Sequence, residues 1–179
     1  MAGAVGWTRV AVQTAVKAAV QAAVLAVALC SLSACDPQRV EKLEEGVATE
    51  AQVRQQFGEP ANIVAEPDGS RLFEYPRQPE GWTNYAIRIG ADGKMSSLRQ
   101  LLNEDNFARA TPGLSGMQAR ALLGRPAEIK HYDLRNEDVM SWRFKQRGQE
   151  SRLFTATFVD GKLVSTAIVD DPRQQASGG

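Results

Sequence analysis

Cys35 is the residue whose neighbours define its chemistry most sharply. It follows Leu32-Ser33-Ala34, and an unbroken apolar run of nine residues, Ala22 to Cys30, precedes that tetrapeptide. An apolar stretch closed by small residues is the pattern of a secretory signal. A cysteine directly after the small residues marks a lipoprotein: the thiol receives a diacylglyceryl group, cleavage falls between Ala34 and Cys35, and the new N-terminus is acylated. Burial of each CH₂ contributes roughly 0.8 kcal/mol, so two or three acyl chains hold a protein on a bilayer. A membrane-spanning helix needs about 20 mostly apolar residues, and Lys17 and Gln21 interrupt this stretch.

His131, the only histidine, lies in His131-Tyr132-Asp133. Acid–base or nucleophilic work would need a nucleophile or a metal beside it, and nothing at suitable spacing supplies one. There is no zinc-type Cys/His spacing and no glycine-rich phosphate loop. The sequence thus predicts a non-enzymatic protein without metal or cofactor. The candidate partner-binding residues are Trp82, in the loop Pro79-Glu80-Gly81-Trp82, Tyr85 just beyond it, and His131 with Tyr132. An exposed loop tryptophan is a binding anchor, or else a cap over the core. Tyr75, Trp142, Phe144, Phe154 and Phe158 read as core.

The chain of 179 residues carries 21 basic and 21 acidic side chains. Removing residues 1–34 takes Arg9 and Lys17 with it and leaves a net charge of −2. That balance gives nucleic acid no basic footprint. Both cysteines sit in or at the signal, so the remaining body is held by packing alone.

That body contains a repeat. Thr49–Ile63 and Ser115–Ile129 match at an offset of 66 residues, with identities at Gln, Arg, Gly, Pro, Ala and Ile. Such self-similarity signals a duplicated unit. Thr49 and Ser115 are N-cap types with Gln52 and Gln118 at capping-box spacing. Gly58 and Gly124 suit a helix C-terminus, and Pro60 and Pro126 forbid continuation. Val53/Phe57 and Ala119/Leu123 give each short helix one apolar stripe. Strands with a period near two follow: Arg71–Tyr75, Thr83–Ile89 and Met95–Leu101, then Val139–Phe144, Arg152–Val159 and Leu163–Val169. Ile63–Ala65 and Ile129–Tyr132 add a short strand to each set. Asp92-Gly93-Lys94 and Asp160-Gly161-Lys162 predict two-residue hairpin turns. Val40–Leu43 and Asn103–Ala108 predict a further short helix in each unit. Glu41, Glu44 and Glu45 beside Arg39 and Lys42 read as a solvated face. The expected fold is α+β: two tandem units, 35–102 and 103–170, each with two short helices on a three- or four-stranded antiparallel sheet, then a flexible tail, 171–179.

The capped helix ending in Gly-x-Pro, followed by a meander with Asp-Gly-Lys, resembles the SmpA/OmlA (BamE-like) lipoprotein family. Gly113, Ser115, Gln118, Ala119, Leu122, Leu123, Gly124 and Pro126 carry its hallmark. Thr49, Gln52, Val53, Phe57, Gly58 and Pro60 repeat it, with Gly46 displaced by one position. The resemblance implies a lipid-anchored, periplasm-facing accessory of outer-membrane β-barrel assembly or envelope integrity, acting on envelope proteins. The duplicated layout is also similar to β-lactamase inhibitor proteins, which implies a periplasmic protein-binding or inhibitor module using a concave sheet. Asp36, directly after the lipidation site, favours retention in the inner membrane in enteric bacteria, against the outer-membrane location the family implies.

Overall fold

The computed structural model describes residues 36–146 and 148–175. Ala34 and Cys35, the expected cleavage and lipidation positions, lie outside the described residues. Residues 1–42 and 43–179 form two units. In the first, a five-residue helix α1, Asp36–Val40, overlaps the expected Val40–Leu43 helix only at Val40; residues 41–44 are turn and coil, so that expected helix is not formed.

The second unit holds both repeats. The first runs α2 (Glu50–Phe57), β1 (Asn62–Ala65), β2 (Arg71–Pro76), β3 (Asn84–Ile89) and β4 (Met95–Gln100). The second runs α3 (Glu104–Arg109), α4 (Gly116–Leu123), β5 (Glu128–Tyr132), β6 (Glu137–Lys145), β7 (Ser151–Val159) and β8 (Lys162–Asp170). A short helix α5, Pro172–Gln175, follows. Each repeat builds its own four-stranded antiparallel meander, β1-β2-β3-β4 and β5-β6-β7-β8. The expected α+β tandem is the observed fold.

The two copies use the same local chemistry. Thr49 and Ser115 both form full capping boxes with Gln52 and Gln118. The glycine after each helix sits at φ 81°, ψ −163° (Gly58) and φ 77°, ψ −163° (Gly124), outside the left-handed helical region and in one that essentially only glycine enters. The carbonyl of that glycine takes a hydrogen bond from an aromatic side chain of the second strand. Tyr75 Oη donates to Gly58 at 3.1 Å and Trp142 Nε1 to Gly124 at 2.9 Å. One hydrogen bond per repeat thus ties the helix exit to the sheet beneath it. The displaced Gly46 also does the work of Gly113: their N–H groups donate to carbonyls at the start of the last strand, Met95 and Leu163, both at 2.8 Å.

Behind each sheet lies an apolar layer. Val53 and Phe57 of α2 are buried, as are Phe73, Tyr75, Ile87 and Met95 of the strands, and the Phe57 ring lies 5.3 Å from that of Tyr75. In the second repeat Phe107 of α3 stacks on Phe154 (centroids 4.3 Å apart, planes at 7°) and meets Phe144 edge-on. Ala119 and Leu123 of α4 complete that layer with Trp142. The Asp160-Gly161 turn has positive φ at both residues (49° and 72°), as a two-residue hairpin requires. The first turn is longer: Gly90 N–H donates to Lys94 and Gly93 N–H to Gly90, so Gly90 and Ala91 join the loop.

The repeats meet where Asn84 of β3 donates to the carbonyls of Leu123 and Arg125, both at 2.8 Å. Asn84 Nδ2 lies only 2.8 Å from where a Cβ on Gly124 would be, whereas a Cβ on Gly58 meets nothing within 4 Å. Gly58→Ala therefore meets backbone strain alone, about 1–3 kcal/mol. Gly124→Ala must also displace Asn84 and should be clearly the more destabilising in urea unfolding; equal losses would refute this account of the junction.

Candidate functional site

Residues opposite each other in an antiparallel pair share a face of the sheet. The register of the second sheet puts Trp142, Phe154, Met140, Ala156 and Phe158 on the helix side. Its other face carries the rows Lys130–Val139–Thr157–Ser165 and Glu128–Ser141–Thr155–Ala167, then Arg143–Leu153–Val169. Val139, Leu153, Thr155 and Thr157 are partly exposed, and Ser165, Ala167 and Val169 are exposed. The strip across this open face is uncharged, while Lys130, Glu128, Glu137 and Lys162 stand around it. A charge-depleted centre inside a polar rim is the composition of a protein-docking surface. The corresponding face of the first sheet carries Glu74 and Arg88 on its middle strands and Arg99 on its edge strand β4. There Arg88 pairs with Glu66 and Ser70.

One end of the open face is closed by the first repeat. Its loop 77–83 brings Gln78 onto β6, where the side-chain amide donates to Arg143 C=O at 2.6 Å and accepts from Arg143 N–H at 3.2 Å. Gln78 thereby extends the strand ladder with a side chain. The Arg143 guanidinium, 7% exposed, donates to Asp171 at 2.5 Å and to the Pro79 carbonyl. Asp171, 2% exposed, also accepts from Ser151 Oγ at 2.7 Å and from Arg173 N–H at 3.1 Å. Burial opposes the Asp171 charge. The hydrogen bonds from Arg143, Ser151 and Arg173 outweigh it and hold the carboxyl at about 2.

Trp82 stands at this end of the face, 44% exposed, with its indole N–H on Ser151 Oγ at 3.0 Å. Lys145 Nζ lies 5.3 Å from its ring centroid. The geometry makes Trp82 both a cap, through its N–H, and an exposed wall. Tyr132 is at the opposite end of the same face, with the Arg135 guanidinium 5.4 Å from its ring. His131 falls on the other face, opposite Asp138. Its Nδ1 lies 2.8 Å from Asp138 and its Nε2 3.2 Å from Asp133. The Asp138 hydrogen bond, aided by both carboxylates, raises its pKa.

Tyr85 is a correction. It pairs opposite Tyr75, shares the helix side of the first sheet, and is 6% exposed with its ring edge-on to Phe57. A tyrosine on that phase of β3 is core, so it offers a partner no surface. The residues that sequence reasoning missed are Val139, Leu153, Thr155, Thr157 and Val169. Their signal is the run Leu153–Val159, where apolar residues occupy both phases of the alternation. The hairpin tip residue Leu134, wholly exposed, was also unread.

Two measurements check this geometry. The Asp171 pKa is depressed from 3.8, so its contribution to stability is complete above that value and is lost as pH falls from about 4 towards 2. That contribution is on the order of 2 kcal/mol. Asp171→Asn should remove this acid limb and, by leaving Arg143 buried without a counter-charge, cost about 3 kcal/mol at pH 7 in urea unfolding. At His131, Asp138→Asn should lower the midpoint of the ring-proton titration followed by NMR; an unmoved midpoint would assign the shift elsewhere.

No protein-family model matches the chain, and no curated protein matches it. The SmpA/OmlA resemblance therefore has no family match behind it. Among solved structures, the chain is similar to a DUF4309 family protein (YjgB) from Bacillus subtilis subsp. subtilis str. 168. Identity is 15% and the TM-score 0.29, over 72% of this chain and 82% of that one. It is also similar to a candidate β-lactamase inhibitor protein from Streptococcus mutans, at 15% identity and a TM-score of 0.29, over 69% of this chain and 83% of that one. Likenesses of this degree transfer no function.

Proposed function

We propose that the chain is a lipid-anchored, non-enzymatic protein-binding module of the bacterial envelope, and that the open face of its second sheet is the docking surface. The observation that carries this reading is the uncharged strip through Val139, Thr157, Leu153 and Val169, ringed by charge. The solvated face of an antiparallel sheet normally carries polar side chains, as the first sheet does with Glu74, Arg88 and Arg99. The departure is confined to one repeat. Packing of the second repeat does not require it, because the helix side of that sheet already holds the core. Support for the anchor is Leu32-Ser33-Ala34-Cys35 itself, and the same tetrapeptide supports a bilayer-bound, periplasm-facing location.

A role in β-barrel assembly has less behind it. The residues of the capped-helix hallmark are consumed by structure: Ser115 and Gln118 cap, Ala119 and Leu123 pack, and Gly124 ends the helix. Chemistry spent on folding says nothing of a partner. The binding reading instead rests on residues for which folding offers no use.

A photo-crosslinking residue at Thr157 should capture an envelope protein in intact cells. The same residue at Arg88, the equivalent position of the first sheet, should not. Thr155→Lys, a charge placed in the strip, should cut the yield at Thr157 at least tenfold while the far-UV spectrum is unchanged. Equal capture from both faces, or indifference to Thr155→Lys, defeats the docking assignment. Cys35→Ser should move the protein from the membrane to the soluble fraction, and unchanged fractionation defeats the anchor.

A further inference from the structure

A polar network covers the core of the first repeat along α2. Glu50 accepts from Arg54 Nε at 2.9 Å and from Arg71 at 2.5 Å, and Glu59 pairs with Arg54 Nη1. The Arg54 and Arg71 guanidiniums lie 4.9 and 5.6 Å from the centroid of the Phe73 ring. Beneath them Phe73 is wholly buried. One arginine, Arg54, is thus answered by two carboxylates.

The second repeat has the same arginine without either acid. The offset of 66 equates Arg54 with Arg120, Glu50 with Gly116 and Glu59 with Arg125. Gly58 and Gly124 share their backbone angles, so the chain leaves both helices in the same direction. The bonds from Tyr75 and Trp142 to those glycines equate Phe73 with Met140 and Arg71 with Asp138, and the cross-strand pairs Ile63–Phe73 and Ile129–Met140 agree. A glycine therefore stands for one acid and a second arginine for the other. The carboxylates along β5 and β6 are engaged elsewhere: Glu128 with Lys130, Asp133 and Asp138 with His131, and Glu137 with Arg135. Among the described residues, no carboxylate pairs with Arg120 or Arg125, and both are exposed. Apolar surface lies beside them. Met140 is only partly buried, and its methyl lies 2.9 Å from where a Cβ on Gly116 would be. Ile129, its cross-strand partner, is 45% exposed, and Met117, next to Gly116, is 81% exposed.

We propose that the exposed side of α4, with β5 beside it, is a second docking site, and that its occupant is a protein segment bearing an aspartate or glutamate next to a large apolar side chain. The first repeat supplies the template. Its Arg54–Glu59 pair shows that the positions of Arg120 and Arg125 lie within ion-pair reach of each other. Two guanidiniums set there without a counter-charge repel, and one carboxylate between them answers both. Guanidinium binds carboxylate through paired, charge-assisted hydrogen bonds, which fixes the direction of approach. The neighbouring apolar side chain then covers Met140, Ile129 and Met117, and methionine adapts its shape to what it meets. The template is a single side-chain carboxylate shared by a helix and a strand, which a protein segment reproduces and the plane of a bilayer does not. The site is on the helix side of the sheet, so it does not depend on the docking role of the open face.

The experiment uses the full chain in intact cells, with a photo-crosslinking residue at Met117. It should capture a protein, and the attached peptide should carry an aspartate or glutamate within about three residues of the attachment point. Arg125→Glu rebuilds the Arg54–Glu59 pair inside the second repeat and should cut the yield at least tenfold. Its urea midpoint should not fall, because an opposed pair replaces a like-charged one, so the loss reports the site and not the fold. Arg120→Gln serves the same purpose if Arg125→Glu folds poorly. Changing the captured acid to its amide in the partner should give an equal loss, and combining it with Arg125→Glu should add nothing further. Absence of capture, capture of phospholipid, an attached peptide without an acid, a yield indifferent to Arg125→Glu, or losses that add in the combination overturns the proposal.

Discussion

Arg143 is a cation placed on the outward side of a sheet and then sealed from water. A guanidinium so buried is tolerable only when its donors are met and its charge is answered. Asp171 supplies the charge from just beyond β8, and the Pro79 carbonyl and the Gln78 amide come from the first repeat. The second sheet therefore completes its own strand only when the first repeat is in place. Such a pair contributes little net stability compared with an apolar substitute, although removing one partner is costly. The openness of the remaining face follows from this geometry. The loop covers Arg143 and Ser151, stops at Trp82, and leaves Val139, Thr155 and Thr157 partly exposed.

Much of the scaffold was legible in the sequence because it is written in short-range rules. Capping boxes at Thr49 and Ser115, glycines that end helices and the Asp160-Gly161 turn each need only a few adjacent residues. The strands were found by alternation, and their ends moved by one or two residues. The site was harder to read for a different reason. Alternation separates a strand's two faces but does not say which one meets the helices. In Leu153–Val159 both phases carry apolar side chains, and only the pairing of Trp142 with Phe154 resolves them. Tyr85 failed in the same way, because its register partner Tyr75 determines its side. The Gln78–Arg143 bonds join residues 65 positions apart, beyond any local rule.

The repeats show which parts of a duplicated unit are constrained. Cap, glycine exit and aromatic-to-carbonyl bond are kept in both, because each satisfies a backbone group that burial would otherwise leave unpaired. The outward faces answer to no such demand, and there the copies diverge. Arg88 faces Thr157 in the correspondence, and Arg99 faces Ala167. Charge is present on the open face of one copy and absent from the strip of the other.

Trp82 gives the molecule an optical consequence. Of the chain's three indoles, Trp142 is fully enclosed and Trp82 is half in solvent beside the Lys145 ammonium. An enclosed indole emits at short wavelength and hardly responds to quenchers, whereas one at a boundary responds to both polarity and collision. Occupation of the neighbouring strip would dehydrate Trp82 and leave Trp142 unaltered. The fold thus carries a native fluorophore at the margin of its uncharged strip, with a constant internal reference.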